Sequence, residues 1–171
     1  MKYTWHEQEL DYSCGPASIR MALAALGIKR SERSINRLSK LTRDGLWHIQ
    51  MITTVRKLGL YSFVKRDTSI RDLRSLLSLG LPLIVNYNMI PRRFPDSGEG
   101  GHYALIKGIE GSKVRVCCPV EGPCHIISLR EFHHNWFDRE EASQRWLMVL
   151  SREKIPTKVK GARYNPLHRL R

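Results

Sequence analysis

The chain has 171 residues, of which 42% are hydrophobic, and it carries a formal net charge of +13. This length and apolar content suit one globular domain with a sizeable core. No run approaches the ~18 consecutive apolar residues of a membrane-spanning helix, and residues 1–7 lack the apolar stretch of a signal peptide, so we expect a cytoplasmic protein.

Helical periodicity dominates the first half of the chain. Apolar residues recur every three or four positions in four segments, as expected for helices that pack one face on a core. In the third segment this spacing directs Ile49, Ile52 and Val55 inward, with Trp47 as a buried aromatic residue at its start. The predicted helices run from Cys14 to Gly27, from Ser31 to Leu41, from Leu46 to Leu58 and from the capping box at Ser69 to Gly80, and a short strand is predicted at 61–65.

Strand patterns dominate the second half. Short segments rich in β-branched and aromatic residues are separated by turn residues. The connection from Asn88 to Gly101 is longer and contains two prolines and three glycines, so we expect a lid or a substrate-contacting loop in which Arg92 and Arg93 favour acidic groups. The predicted strands are Pro82–Tyr87, His102–Gly108, Lys113–Cys118, His125–Ser128 and Arg145–Leu150.

Residues 152–171 form the most basic segment. Seven of the 29 Lys and Arg residues but only one of the 16 acidic residues lie there, so this segment carries +6 of the net charge of +13. With two prolines and no apolar period, it is predicted to be a flexible tail outside the core. We therefore expect a folded domain over residues 1–151 and a solvated tail, which could contact anions such as RNA or an acidic membrane surface.

A cysteine at the start of the first predicted helix is the clearest candidate for a reactive group. Cys14 directly precedes an apolar helical run, where the positive end of the helix dipole favours a thiolate. Far downstream, Gly101-His102-Tyr103 opens a predicted strand, and a distant His can act as the base for a Cys nucleophile. An isolated cysteine is more often a small buried apolar side chain, so the interpretation depends on the surrounding residues.

Three separated sequence blocks resemble those of the bacteriocin-processing, double-glycine leader peptidases and their stand-alone relatives. They are Gln-x5-Cys-Gly-Pro-Ala-Ser, Gly-His-Tyr-Ala-Leu-Ile-Lys-Gly-Ile, and Val-Arg-Val-Cys-Cys-Pro followed by Ile-Ser-Leu-Arg-Glu-Phe and a Trp, within roughly residues 5–150. The resemblance implies a papain-like α+β cysteine peptidase domain, with a helical N-terminal lobe packed on an antiparallel β-sheet lobe. It also implies a peptide or protein substrate that is cleaved after small residues, often Gly-Gly.

The resemblance assigns catalytic roles to four residues. Cys14 corresponds to the nucleophile and His102 to the general base. Gln8, six residues before Cys14, corresponds to the oxyanion-hole glutamine, which acts together with the backbone N–H of the nucleophile. Only His102 has the preceding Gly and the following apolar strand of the family pattern; the other histidines are His6, His48, His125, His133, His134 and His168.

The fourth position departs from the family pattern. Relatives carry a Val-x-Val-x-Asp-Pro strand end whose Asp orients the catalytic imidazole, and here that position is Cys118, followed by Pro119. A thiol is a weak hydrogen-bond acceptor with little charge near pH 7, so it orients the ring and stabilises imidazolium less well than a carboxylate does. We therefore expect Cys118 to occupy the orienting position and activity to be reduced.

Two other classes of function stay open on the sequence alone. One is an acyl- or amide-transfer enzyme on the same scaffold, because the Cys-Gly-Pro motif of this chain also resembles the nucleophile motif of phytochelatin synthases. The other is a non-catalytic module that binds a peptide in the same cleft, which the missing Asp favours and Cys14 disfavours. No metal or other cofactor is expected, because the remaining cysteines, Cys117, Cys118 and Cys124, lack the paired Cys-x2-Cys spacing of zinc sites, and a reducing cytoplasm keeps thiols free.

Overall fold

The structure is a computed structural model that describes residues 3–89, 100–138 and 143–167. Residues 90–99 of the expected lid, including Arg92 and Arg93, lie outside this description. The helices are α1 (Cys14–Ala25), α2 (Glu32–Ser39), α3 (His48–Lys57), α4 (Ile70–Leu77) and α5 (Leu129–Asn135). The strands are β1 (Tyr61–Lys65), β2 (Leu83–Met89), β3 (Gly100–Glu110), β4 (Lys113–Cys118), β5 (Gly122–Ser128), β6 (Phe137–Asp138), β7 (Ser143–Gln144), β8 (Leu147–Ser151) and β9 (Ala162–Tyr164).

Seven of these strands form one antiparallel sheet in the order β5-β4-β3-β2-β8-β1-β9. Side chains alternate between the two faces of a strand, and in β2 this places Ile84 in one apolar cluster and Val85 in the other. The first cluster joins the sheet to helices α1 to α3, and the second joins it to α4 and α5. The predicted α+β architecture, with a helical N-terminal lobe on an antiparallel sheet, is confirmed.

Local sequence signals account for most helix boundaries. The Ser69 side chain accepts a hydrogen bond from the Asp72 N–H at the start of α4, and Ser31 does the same for the Ser34 N–H at the start of α2, which satisfies backbone donors that a helix leaves unpaired. Gly27 follows α1 with a φ of +76°, a conformation that favours glycine. The longest helix has 12 residues, and within the described ranges none is long and apolar enough to cross a membrane.

The third helix differs from its prediction. It begins at His48. Its buried residues are His48, Met51, Ile52 and Val55, which follow the three- and four-residue spacing of a helix, together with Thr54. Ile49 is one residue past His48 and so points away from this face; its side chain is 63% exposed, and Trp47 is 43% exposed. The predictions that Ile49 points inward and that Trp47 is buried were therefore wrong. The buried face includes a polar residue, His48, which the apolar pattern did not indicate.

The basic segment after residue 151 also differs from its prediction. Strand β9 pairs with β1, with Phe63 opposite Arg163, and Ile155 is buried in the second apolar cluster. A Cβ at Gly161 would lie 2.5 Å from the Phe63 ring, so the absence of a side chain there allows the segment to pack on the sheet. The prediction that residues 152–171 lie outside the core is wrong for these positions, because pairing of a three-residue edge strand needs no apolar period. The domain boundary at residue 151 stays a prediction.

Candidate active site

Cys14 is the first residue of α1, at the place where this helix packs on β3. The Ser18 hydroxyl, one turn further along α1, donates a hydrogen bond to the Tyr103 carbonyl over 3.0 Å. The Tyr103 backbone N–H hydrogen-bonds the Cys14 thiol. A Cβ at Gly15 would lie 3.0 Å from the Met51 sulfur, so a glycine after Cys14 lets α1 approach α3 closely. The fold thus holds the Cys14 thiol beside the β3 backbone at the residue next to His102.

His102 contacts the residue that replaces the family's aspartate. Its Nε2 atom lies 3.3 Å from the Cys118 Sγ atom, and both side chains are buried. Tyr87 lies opposite His102 in the β2–β3 pairing, and the two rings meet edge to face at 5.9 Å between centroids. The structure therefore brings His102 and Cys118 together as the sequence predicted, with the Nδ1 atom of the ring left for a second partner.

The Cys118 sulfur lies among several hydrogen-bond donors. The backbone N–H groups of Val120 and Glu121 donate to it over 3.4 and 3.2 Å. The Tyr87 hydroxyl donates to the Met89 Sδ atom over 3.1 Å and lies near enough to the Cys118 thiol to lower its pKa. A neutral thiol is a weak acceptor, whereas a carboxylate accepts about four hydrogen bonds. This arrangement would suit an aspartate better than the cysteine that occupies it. Sequence reasoning missed Tyr87, whose only signal was its place at the end of a predicted strand.

Gln8 lies beside the Cys118–Pro119 segment. Its backbone N–H donates to the Pro119 carbonyl over 3.1 Å, and the Trp5 indole N–H donates to the Cys118 carbonyl over 2.8 Å. The two hydrogens of the Gln8 side-chain amide are directed to the Leu10 and Asp11 carbonyls, each over 2.9 Å. Gln8 is thus close to the other predicted residues, but in this conformation its amide supports its own loop, and it must turn to reach an oxyanion.

A buried carboxyl group, which the sequence did not reveal as part of the site, holds the loop before Cys14. One oxygen of Glu32 accepts hydrogen bonds from the Ser13 hydroxyl over 2.5 Å and from the Glu9 N–H over 2.9 Å. Ser13 in turn is bonded to the backbone of Leu10. Burial raises the pKa of Glu32, and the bond from Ser13 opposes this shift. Helix α2 therefore fixes the segment that carries both Gln8 and Cys14.

Burial sets the protonation states of the two reactive groups. It raises the pKa of the Cys14 thiol to about 11, although hydrogen bonds from Tyr103, Gly15 and Cys14 itself lower it in part. It also lowers the pKa of His102 to about 4, with a smaller contribution from His125. Both shifts favour the neutral forms, so in this conformation desolvation opposes the helix dipole and the local hydrogen bonds, which favour a Cys14 thiolate. The thiolate that the sequence suggested stays a prediction.

The other cysteines lie apart from this arrangement. Cys117 is buried on the opposite face of β4, with its thiol 3.6 Å from the Met21 sulfur, and Cys124 is exposed. All four cysteines are free thiols. Among the residues that the structure describes, no three His, Cys, Asp or Glu side chains are grouped so that they could hold a metal ion.

A cysteine at a helix start, beside a histidine on an antiparallel sheet, is the arrangement of the papain-like cysteine peptidases. The chain belongs to the Peptidase C39 family, whose model matches residues 2–139, and it is a cysteine peptidase. A comparison with curated protein sequences found no match.

Solved structures support the same fold. The peptidase domain of Streptococcus ComA, a bi-functional ABC transporter involved in a quorum-sensing pathway, superimposes with a TM-score of 0.69 at 18% identity, over 89% of this chain and 98% of that one. A putative C39-like peptidase from Bacillus anthracis gives 0.67 at 14% identity, over 88% and 96%. A double-glycine-motif protease from an AMS/PCAT transporter, in complex with its leader peptide, gives 0.62 at 19% identity, over 87% and 91%.

Proposed function

We propose that this peptidase cleaves a peptide after small residues such as Gly-Gly, with Cys14 as nucleophile, His102 as general base and Cys118 as the residue that orients the imidazole. The single observation that carries the proposal is the 3.3 Å contact between the His102 Nε2 and the Cys118 Sγ. Because Nε2 is engaged there, Nδ1 is the ring nitrogen that can serve Cys14, whose thiol is held at the neighbouring Tyr103 N–H. The leader peptide bound by the transporter protease supports the substrate class.

Burial, which favours the neutral forms of both groups, suggests the order of proton transfers. The Cys14 thiol gives its proton to Nδ1 of His102 as its sulfur attacks the scissile carbonyl carbon. The oxyanion is held by the Cys14 backbone N–H and by the Gln8 amide once that amide has turned from Leu10 and Asp11. His102 then protonates the leaving amine, which leaves a thioester on Cys14. His102 next takes a proton from a water molecule, whose oxygen attacks the thioester carbonyl carbon. As the C–S bond breaks and the acid product leaves, His102 returns that proton to the Cys14 sulfur.

Cleavage of a synthetic peptide with an internal Gly-Gly tests this assignment. We expect wild type to release a product that ends in Gly-Gly, and we expect Cys14→Ser and His102→Ala to lose turnover while they remain folded by circular dichroism. Cys124→Ser is the matched control, because Cys124 is exposed, and it should cleave normally. Full activity in Cys14→Ser, or binding of the peptide without cleavage by wild type, would contradict the proposal. Addition of an amine separates hydrolysis from acyl transfer, since a transferase would yield the amide product.

A further inference from the structure

A basic surface lies at the end of α1 that is remote from Cys14. Two adjoining cavities open there, of about 470 and 600 Å³, and both are lined by Arg30. We call the cations that line them the basic face: Arg20, Lys29, Arg30, Arg37, Lys40 and Lys57. Along the axis of α1 this face extends from Arg20, about 9 Å from Cys14, to beyond Ala24, which is about 15 Å from it.

Positive charge on the basic face is largely unbalanced. Among the described residues, no Asp or Glu lines either cavity. Within the part of the chain that the structure describes, Arg20 alone of these cations forms an ion pair, with Glu9 over 3.0 Å. Glu32, the one acidic residue of α2, is buried and directed inward to Ser13. Repulsion among the remaining cations costs free energy in the isolated protein, and an anionic partner would relieve that cost.

The shape and composition of the basic face favour one kind of anion. The cavities are floored by half-buried Ile28, Leu38 and Leu58, and none of the exposed large apolar side chains of the described chain lines them. A membrane-binding surface needs apolar groups that insert among lipids, and these are missing here. Two concave sites joined by Arg30 instead suit a flexible strand with regularly spaced phosphates, which arginine binds in a forked geometry.

The segment after β8 lies beside this surface. The Arg56 guanidinium donates to the Asn165 carbonyl over 2.9 Å, and the Leu167 N–H donates to the Arg56 carbonyl over 3.0 Å. Arg56 is the neighbour of Lys57 in α3, so the basic C-terminal segment continues from the basic face. Part of the basic segment that the sequence predicted to be a free tail is therefore hydrogen-bonded to the folded domain.

We propose that the basic face binds the phosphate backbone of a single-stranded nucleic acid without reading its bases. Binding of this kind depends on the number of cation–phosphate contacts and weakens steeply with salt. The inference is independent of peptide cleavage, since Arg30, Arg37 and Lys57 line cavities beyond the C-terminal end of α1, whereas Cys14 is at its N-terminal end.

Fluorescence anisotropy with a labelled single-stranded RNA, measured over a range of salt concentrations, tests the inference. The variant is Arg30→Gln/Arg37→Gln/Lys57→Gln, whose exposed side chains leave the core untouched. We expect it to bind at least about tenfold more weakly at low salt, with the slope of log K against log salt reduced by about 2, because each phosphate contact contributes ~0.7 on a single strand. Its melting temperature and its peptide cleavage should equal those of wild type.

A charge-matched control separates a binding surface from net charge. Arg71→Gln/Lys113→Gln/Arg130→Gln removes the same charge from exposed positions in or beside α4, β4 and α5 and should lose clearly less affinity, while Arg30→Lys/Arg37→Lys should lose only part of it, because lysine keeps the charge but not the forked geometry. Equal losses in the two triple variants would show a net-charge effect and overturn the inference. Absence of RNA binding by wild type at low salt, or binding to phosphatidylserine vesicles but not to RNA, would overturn it as well.

Discussion

Cys118 is the residue at which this peptidase departs most from its family pattern. Its sulfur accepts from two backbone N–H groups and contacts the His102 ring, and the Tyr87 hydroxyl lies nearby. A neutral thiol satisfies such donors poorly, and burial raises the pKa of Cys118, which disfavours a thiolate that would satisfy them better. The hydrogen-bond donors that would suit an aspartate are thus present around a thiol, which carries no charge near pH 7.

Replacement of Cys118 by aspartate tests this interpretation at the residue scale. We expect Cys118→Asp to raise kcat/KM by about tenfold, below the ~10⁴-fold lost when the Asp of a serine-protease triad is neutralised, because the buried site desolvates the new charge. Cys118→Ala should have a mild effect, and Tyr87→Phe should cost more activity in the Cys118→Asp background than in wild type. Loss of activity in Cys118→Ala as severe as in Cys14→Ala would instead indicate a direct chemical role for this thiol.

Alkylation of Cys14 tests the neutral resting state. Because the pKa of this thiol is raised to about 11, the rate of its reaction with iodoacetamide should keep rising as the pH increases from 6 to 9, and near pH 6 Cys14 should not react ahead of the exposed Cys124. Peptide mapping by mass spectrometry gives the rate at each cysteine. A plateau of Cys14 reactivity that begins near pH 6 would reveal a preformed thiolate–imidazolium pair and contradict the neutral state.

At the scale of elements, β9 extends the sheet with residues of the basic segment. It covers part of β1, and Arg163 lies over the Phe63 ring at 5.5 Å. We expect truncation after residue 151 to lower the melting temperature by several degrees, because it removes the edge strand and the buried Ile155. Truncation after residue 167, which keeps β9, is the matched control and should be neutral. An unchanged melting temperature after the longer truncation would show that β9 adds no stability.

Sequence patterns predicted the elements whose signals are local. Helix caps such as Ser69 and apolar runs such as β2 depend on neighbouring residues, and Cys14, His102 and Cys118 followed from the motif. Other features depend on contacts between distant segments. No local sequence pattern indicates the hydrogen bond from Ser13 to Glu32, the position of the Tyr87 hydroxyl near Cys118 or the pairing of β9. The orientation of the Gln8 amide depends on the positions of the Leu10 and Asp11 carbonyls, which only the folded loop defines.

At the scale of the whole molecule, two buried histidines couple stability to pH. Burial lowers the pKa of His48 to about 3 and that of His102 to about 4, from an ordinary value of 6.5. Between pH 6.5 and 4 the unfolded chain therefore binds more protons than the folded chain, so stability is complete above 6.5 and falls as the pH decreases. Glu32, whose pKa is raised, acts in the opposite direction and offsets part of this loss.

Urea unfolding between pH 7 and about pH 5 measures the coupling. Two protons correspond to at most about 2.7 kcal/mol of unfolding free energy per pH unit, and His48→Gln should reduce the slope by about half if it remains folded. His133→Gln, at an exposed position of α5, is the control and should leave the slope unchanged. Stability that is constant or rises as the pH falls through this range would contradict the burial of two neutral histidines.

Trapping of the acyl-enzyme tests the central claim, that Cys14 is the nucleophile of a peptidase, most directly. Wild type is mixed with a peptide ester that ends in Gly-Gly, quenched in acid within the first turnover and measured by intact-mass spectrometry. We expect a mass gain equal to the acyl group, mapped to Cys14 and absent in Cys14→Ser. Ester turnover without a covalent intermediate under single-turnover conditions, or an acyl group on Cys117, Cys118 or Cys124 instead, would contradict the claim.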